Sequence, residues 1–330
     1  MPPADIDTLY TEARNGQRRA LGRLLTKVER GGPEADRISD LTHNDAGSAH
    51  ILGFTGAPGA GKSTLVGQIV KRLVEGGAKP AILAVDPSSP LTGGAILGDR
   101  IRMDDVVDPS GKSGRSAFIR SMATRGHSGG LALAVPLAVR LFDATGYNPV
   151  IIETVGVGQV EVDVVSAADT AIVVMTPGMG DSVQANKAGL LEVADVFVVN
   201  KADRPGANDV KRDLNLMLDL SHVTGQESET GYRPPIIMTT ALDGTGADDV
   251  LEAVSAHLDH LDSTGGRARR RSNRVRTEVT ARLMQRLTDA AETEMASDAG
   301  NSIIAKAEDG STAPTEASDL LAQRLLRPPS

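Results

Sequence analysis

Seven short apolar runs punctuate the chain from residue 50 onward: ILGFTG (51–56), AILAVD (81–86), SAFIRSM (116–122), PVIIET (149–154), TAIVVMT (170–176), DVFVVN (195–200) and PIIMTT (235–240). None alternates apolar with polar positions, so each reads as a strand buried on both faces. Long spacers of helical character separate them, and strands joined in that way make right-handed crossovers to parallel neighbours. The pattern predicts a doubly wound α/β domain with a mostly parallel sheet. It is expected to end near residues 263–266, after a helix around residues 246–261.

The flanks carry a different pattern. Leu9, Leu21, Leu24, Leu25 and Val28 stand among many charges, which predicts one or two amphipathic helices ahead of the sheet, broken by GGPEAD. After the sheet come six arginines, Arg267, Arg269, Arg270, Arg271, Arg274 and Arg276. In an acidic protein such a run is read as a solvated or intersubunit helix face. The helix is expected to continue to about residue 297. Val275, Val279, Leu283, Met284 and Leu287 recur along it at three- and four-residue spacing, a stripe that dimerisation would bury. The stretch beyond residue 299 is weakly patterned, with a short helix expected at 320–326.

Composition narrows the classes. The net charge of -8 over 330 residues argues against attraction to nucleic acid or an anionic membrane surface. Without cysteine there are neither disulfides nor thiolate metal ligands, which fits a reducing compartment, and the cytoplasm is the expected location. MPPADIDTLY lacks the basic and apolar regions of a signal peptide. The most apolar stretch, 131–142, is too short for a membrane span and contains Pro136 and Arg140. With aromatics at 2% the core must be aliphatic, and a base-stacking surface is not expected.

The chemistry concentrates where the first strand ends. Gly56, Ala57, Pro58, Gly59, Ala60, Gly61, Lys62 and Ser63, followed by Thr64, match G-x-x-x-x-G-K-[ST] between a strand and a helix. Glycines let consecutive N–H groups point at phosphate oxygens, and the helix adds its positive N-terminus. Lys62 is expected to reach the β- and γ-phosphates and Ser63 to ligate Mg²⁺. Magnesium takes hard oxygen ligands, so carboxylates at strand ends are its natural companions: Asp86, Asp99 and Glu153 qualify. Gly156, in ETVG, offers an N–H to the γ-phosphate. On this reading residues 1–45 form an N-terminal helical extension, 46–262 a P-loop domain, and 263–330 a C-terminal helical arm and tail.

NKAD (200–203) follows the strand DVFVV. The Asp203 carboxylate suits the paired N1–H and 2-amino donors of guanine, which adenine lacks. Asn200 would tie this loop to the phosphate loop, and the Lys201 stem would cover the purine. Thr240 and Ala241, followed by Leu242, stand where a backbone N–H would meet guanine O6. GTP and GDP are therefore the expected nucleotides.

Together with ETVGVGQ, VDPSSPLTGGAILGDRIRM and GMGDSVQANKAG (178–189), these motifs resemble the methylmalonyl-CoA mutase-associated GTPases of the MeaB/ArgK type, within the SIMIBI class of P-loop proteins. The resemblance implies a homodimeric GTPase that binds a coenzyme-B12-dependent acyl-CoA mutase, gates delivery of adenosylcobalamin and protects the enzyme, with no tightly bound cobalamin of its own. It implies Ser63, Asp86, Asp99 and Glu153 around Mg²⁺, and Asp181, Gln184 and Lys187 in a signalling loop that joins Lys62 and Glu153 in catalysis. Where many GTPases place a water-orienting Gln, this chain has Val157, with Gln159 two residues on. Hydrolysis is therefore expected to be slow until a partner completes the site. The alternatives are a metal-delivery GTPase of the nickel type, an amino-acid-transport ATPase or kinase, and a nucleotide-binding scaffold without turnover. Against the first, only His257 and His260 form a compact histidine pair, and a solvated helix explains them better than a metal does.

Overall fold

The computed structural model describes residues 5–86, 117–123, 128–154, 168–178, 193–223 and 231–326. Every predicted strand is present: β1 (Ile51–Thr55), β2 (Ala81–Asp86), β3 (Phe118–Ala123), β4 (Val150–Thr154), β5 (Thr170–Met175), β6 (Val196–Asn200) and β7 (Ile236–Thr239). They form one sheet in the order β3-β2-β4-β1-β5-β6-β7, and every neighbouring pair is parallel. Consequently all strand C-termini open on one edge. The chain builds outward from β1 in both directions, so the crevice beside β1 is the topological switch point at which such sheets bind ligands.

Alternate residues of each strand feed opposite cores. Ile152 and Leu83 pack with α1 (Ile6–Arg14), α2 (Arg18–Arg30), α3 (Pro33–Thr42) and Leu137, Leu141 and Phe142 of the next helix, α5 (Ser128–Ala144). Ile151, Leu52 and Ile172 pack with Leu65 and Ile69 of α4 (Lys62–Glu75) and Val250 of α7 (Ala247–Thr264). Val173, Phe197 and Val199 are covered by Leu214 and Leu218 of α6 (Ala207–Val223). The N-terminal segment is thus three helices, not one or two. GGPEAD breaks the chain only at Gly31 and Gly32, and Pro33 opens α3 at its first turn, where its missing N–H costs nothing. Among the described residues, no helix is long and apolar enough to cross a membrane.

Two compact units result, Met1–Arg274 and Val275–Ser330. The helix α8 (Gly266–Met295) begins in the first and continues into the second. Its arginines correct the expectation of a solvated face. Arg270 grips Asp195 through both guanidinium nitrogens at 2.6 and 2.7 Å, and Arg274 reaches Asp169 at 2.7 Å. Arg267 donates to the Ser48 and Ala49 carbonyls, and Arg271 to that of Ala46. The two aspartates in turn accept the amides of Ile51, the first residue of β1, and Ala171, the second of β5. Burial would raise the Asp195 carboxyl, but hydrogen bonds from His257 and Arg270 hold it below the usual carboxylate range. The start of α8 is therefore an ionic fastening on the N-terminal edge of the sheet.

In the second unit α9 (Asp298–Glu308) and α10 (Pro314–Leu325) follow α8. The Ser297 hydroxyl caps α9 by accepting the Gly300 amide at 3.0 Å, and Arg324 of α10 pairs with Glu294. Weak patterning had suggested only the last of these helices. Val275, Val279, Leu283, Met284 and Leu287 are each about half exposed.

Beside the ionic fastening, Thr170 Oγ1 lies 2.8 Å from His50 Nε2 and 2.9 Å from His257 Nδ1. Burial pushes the His50 imidazole down to about 4; Arg267 and His257 press the same way, against Asp169 and Asp262. The unfolded chain protonates this residue near pH 6.5, so between pH 6.5 and about 4 it binds more protons than the folded one, and stability falls as pH drops through that window. The full effect is about 3 kcal/mol. Asp195, whose carboxyl is also depressed, contributes in the same direction but only below the normal carboxylate range, so the two windows separate. Urea unfolding of His50→Gln at pH 7 and pH 5 should show a shallower pH dependence than the parent; equal slopes would exclude a buried neutral His50.

Candidate nucleotide site

The chain leaves β1 at Gly56, whose backbone passes so close to β5 that a Cβ would lie 2.1 Å from the Val174 carbonyl oxygen. The loop closes at Gly61, φ +87°, the residue before α4, where a Cβ would lie 2.3 Å from Asn200 Nδ2. These two glycines let the loop fold back over the sheet edge so that the amides opening α4 face the crevice. Ala60 is buried beneath it and Thr64 is exposed. Lys62 is buried, and its ammonium donates to the Gly56 carbonyl at 2.6 Å and the Ala57 carbonyl at 3.2 Å. Its charge thus sits within the loop itself.

Ser63 Oγ donates to Glu153 Oε1 at 2.5 Å. Glu153 is buried near the end of β4, one residue before Thr154, which bonds Thr55 of β1. Asp86 ends β2 on the same edge, its backbone one step past the level of Thr154. A serine hydroxyl touching a buried carboxylate supplies the hard-oxygen chemistry that magnesium prefers over softer metals. The residues fit the ion. Asp99, Gly156, Val157, Gln159, Asp181, Gln184 and Lys187 lie outside the described residues.

Asn200 ends β6 and joins three loops. Its Nδ2 donates to the Ala60 carbonyl at 2.7 Å, while its Oδ1 accepts from Thr239 Oγ1 at 3.1 Å and from the Ala241 amide at 3.0 Å. The Ala241 N–H expected at guanine O6 is thus shared with Asn200. Lys201 adopts φ +58°, rare for a residue with a side chain, and its ammonium donates to the Gly59 carbonyl at 2.7 Å. Its stem therefore crosses from the NKAD loop to the phosphate loop. Asp203 is exposed beyond it, and Leu242 is 86% exposed on the neighbouring loop. Thr240 closes that loop by accepting the Gly244 amide and donating to the Thr245 carbonyl. The sequence reading passed over Arg72, which holds the same loop from α4; its contacts lie 172 residues away in the chain, and nothing local marks it.

The histidine pair has another explanation than a solvated helix. His257 is fully buried between Thr170 and Asp195, and Tyr232 packs against both rings at 4.7 and 5.0 Å. Among the described residues there is no group of three or more His, Cys, Asp or Glu able to hold a metal.

The sequence model described as methylmalonyl Co-A mutase-associated GTPase MeaB matches residues 21–296. A relative from Pyrococcus horikoshii is 46% identical over 275 residues, spanning 83% of this chain and 84% of its own. A fused isobutyryl-CoA mutase of Cupriavidus metallidurans is 36% identical over 216 residues, which are 64% of this chain and 19% of that protein. Among solved structures, a LAO/AO transport system kinase aligns with a TM-score of 0.67 and 25% identity, covering 99% of both chains.

Asn200 and Gly61 should be energetically coupled. Asn200→Ala strands the Ala60 carbonyl and the Ala241 amide and should cost about 2–4 kcal/mol in denaturant unfolding. Gly61→Ala drives a methyl into the Asn200 amide, so its cost should shrink in the Asn200→Ala background, by about 1 kcal/mol or more. Strict additivity would show that the bridge does not carry the loop.

Proposed function

The chain belongs to the methylmalonyl Co-A mutase-associated GTPase MeaB family, and from that premise we propose that it uses GTP to gate a cobalamin-dependent acyl-CoA mutase. The observation that carries the nucleotide reading is the Asn200 bridge, because it sets a guanine-selective carboxylate at a fixed reach from the phosphate loop. Asp203 accepts the N1–H and 2-amino group, and amides of the 240–242 loop approach O6. The Lys201 stem and Leu242 flank the faces of the purine. The amides of residues 59–64 surround the phosphates, and Lys62 exchanges the Gly56 and Ala57 carbonyls for β- and γ-phosphate oxygens.

Ser63, Glu153, Asp86 and Asp99 would hold Mg²⁺, which when bound neutralises phosphate charge. Lys62 stabilises the charge that develops on the transferring phosphoryl group. Val157 cannot orient the attacking water, so unassisted hydrolysis is slow. Asp181, Gln184 and Lys187 complete the site once a partner engages residues 178–189, and Gly156 reports whether the γ-phosphate is present. The fused mutase relative supports a mutase as that partner, since one chain there joins a similar GTPase segment to the enzyme its name states. In this reading GTP hydrolysis licenses adenosylcobalamin transfer, the chain itself holds no cobalamin tightly, and two copies associate in the cytoplasm through the apolar stripe of α8.

Base recognition has a direct test. Asp203→Asn should donate to the 2-oxo group of xanthine where the carboxylate accepted the 2-amino group of guanine. Affinity should move from GDP to XDP by about two orders of magnitude or more in their ratio. An unchanged ratio would overturn the guanine assignment.

The partner role is tested separately. Methylmalonyl-CoA and isobutyryl-CoA mutases should be captured differently in GDP and in a non-hydrolysable GTP analogue. In single-turnover hydrolysis, mutase should accelerate the parent and not Lys187→Ala; equal stimulation of both would remove the signalling loop from the mechanism.

A further inference from the structure

Loop 240–246 is held at two ends. At Ala241 the hold is Asn200 at the end of β6, which also bonds the phosphate loop. At Gly244 it is Arg72 of α4, the helix that Lys62 and Ser63 open. Arg72 stands ten residues after Lys62, about 15 Å along that helix. Its Nη2 donates to the Gly244 carbonyl at 2.9 Å, its Nε to Asp248 Oδ1 at 2.7 Å, and its Nη1 to the Gln68 carbonyl and Oε1 at 3.2 and 3.3 Å.

We propose that Arg72 is a positioning residue for guanine selectivity: it fixes loop 240–246 to the phosphate-binding helix, so that the loop amides stand at the height of O6. This rests on the guanine reading above. The geometry favours the Gly244 bond as the operative contact. Asp248 is three-quarters exposed, so its ion pair is screened by water, whereas the Arg72 side chain is only about a quarter exposed. Gln68, one turn back, fixes the guanidinium in plane, leaving the fork with one backbone acceptor on the base loop. A lysine ammonium has no such planar fork and cannot satisfy Gly244, Asp248 and Gln68 in one geometry. The Ala241 N–H is already shared with Asn200, so a small outward drift of the loop would leave O6 without a donor while the phosphate contacts stayed intact.

The consequence separates base from phosphate. In Arg72→Ala the Kd for GDP should rise about tenfold, the worth of one hydrogen bond near a charged group. The Kd for ADP, which engages only the phosphate loop, should stay within about twofold. The diphosphate of 2-aminopurine riboside keeps the 2-amino group but lacks O6, and its affinity should likewise hold. Arg72→Lys should recover part of the GDP loss. Competition against a fluorescent GDP analogue measures all three nucleotides, and thermal unfolding without nucleotide tests the fold of each variant.

If Arg72→Ala weakens all three nucleotides equally, or none, the positioning role is overturned; so it is if the loss for GDP simply follows a lowered melting temperature shared by Arg72→Lys. Asp203→Ala serves as the independent control. Selectivity that survives Asp203→Ala overturns the guanine reading itself. Selectivity lost in Asp203→Ala but kept in Arg72→Ala overturns only the inference.

Discussion

The side-chain amide of Asn200 is the joint on which the site depends. One primary amide has two donors and a carbonyl, and here both kinds of group are spent on other loops: Ala60 on one side, Thr239 and Ala241 on the other. A phosphate loop alone binds many anions, and an exposed aspartate alone selects nothing. Their fixed separation is what would make a nucleotide with one particular base fit. Gly61 is glycine for the same reason, since a side chain there would occupy the space of that amide. The constraint is therefore one of distance between loops, enforced by bonds buried from water, where an unmade partner is expensive.

A parallel sheet makes such a joint possible and also creates its complement. All C-terminal strand ends meet on one edge and supply Gly56, Asp86, Glu153, Asn200 and Thr239. The opposite edge gathers unpaired strand-start amides and the acids that accept them. Asp169 and Asp195 are buried carboxylates that need cations, and the first turns of α8 deliver them. Burying an ion pair seldom stabilises more than an apolar contact would, but removing one partner is costly, so the arrangement specifies where α8 begins more than it strengthens the fold. The His50, Thr170 and His257 chain fills the space between, and burial keeps the His50 imidazole neutral at neutral pH.

What the sequence made legible was whatever is encoded within a few residues. Seven strands were readable because a strand buried on both faces must be apolar throughout. GAPGAGKS and NKAD were readable because backbone geometry demands their spacing. The Ser63 to Glu153 contact could be anticipated only as a shared preference for one ion. Partners distant in the chain stayed hidden. The arginines at 267–274 looked like a solvated run because their acceptors, Asp169 and Asp195, lie about 75 to 105 residues away. Arg72 looked like any charge on a helix. Two local signals were present and misread: Pro33 as a break instead of a helix start, and Ser297 as the end of one helix instead of the cap of the next.

In the proposed function, recognition and timing fall to different parts of the chain. The groups that would read guanine and grip the diphosphate are bonded to one another across β1, β6, β7 and α4, and a change in one is felt by the others through a side chain such as Asn200 or Arg72. The groups that would respond to the γ-phosphate or a partner, Gly156, Asp181, Gln184 and Lys187, come from segments rich in glycine that follow β4 and β5. A frame that selects the nucleotide must keep its distances in both nucleotide states, whereas a sensor must differ between them, because a ligand shifts an equilibrium only as far as its affinity for the two states differs. Separating the two duties lets the base and diphosphate stay bound while the signal changes. Val157 would fit that division: if it supplies no water-orienting group, as proposed, the moment of hydrolysis would fall to residues that a partner engages.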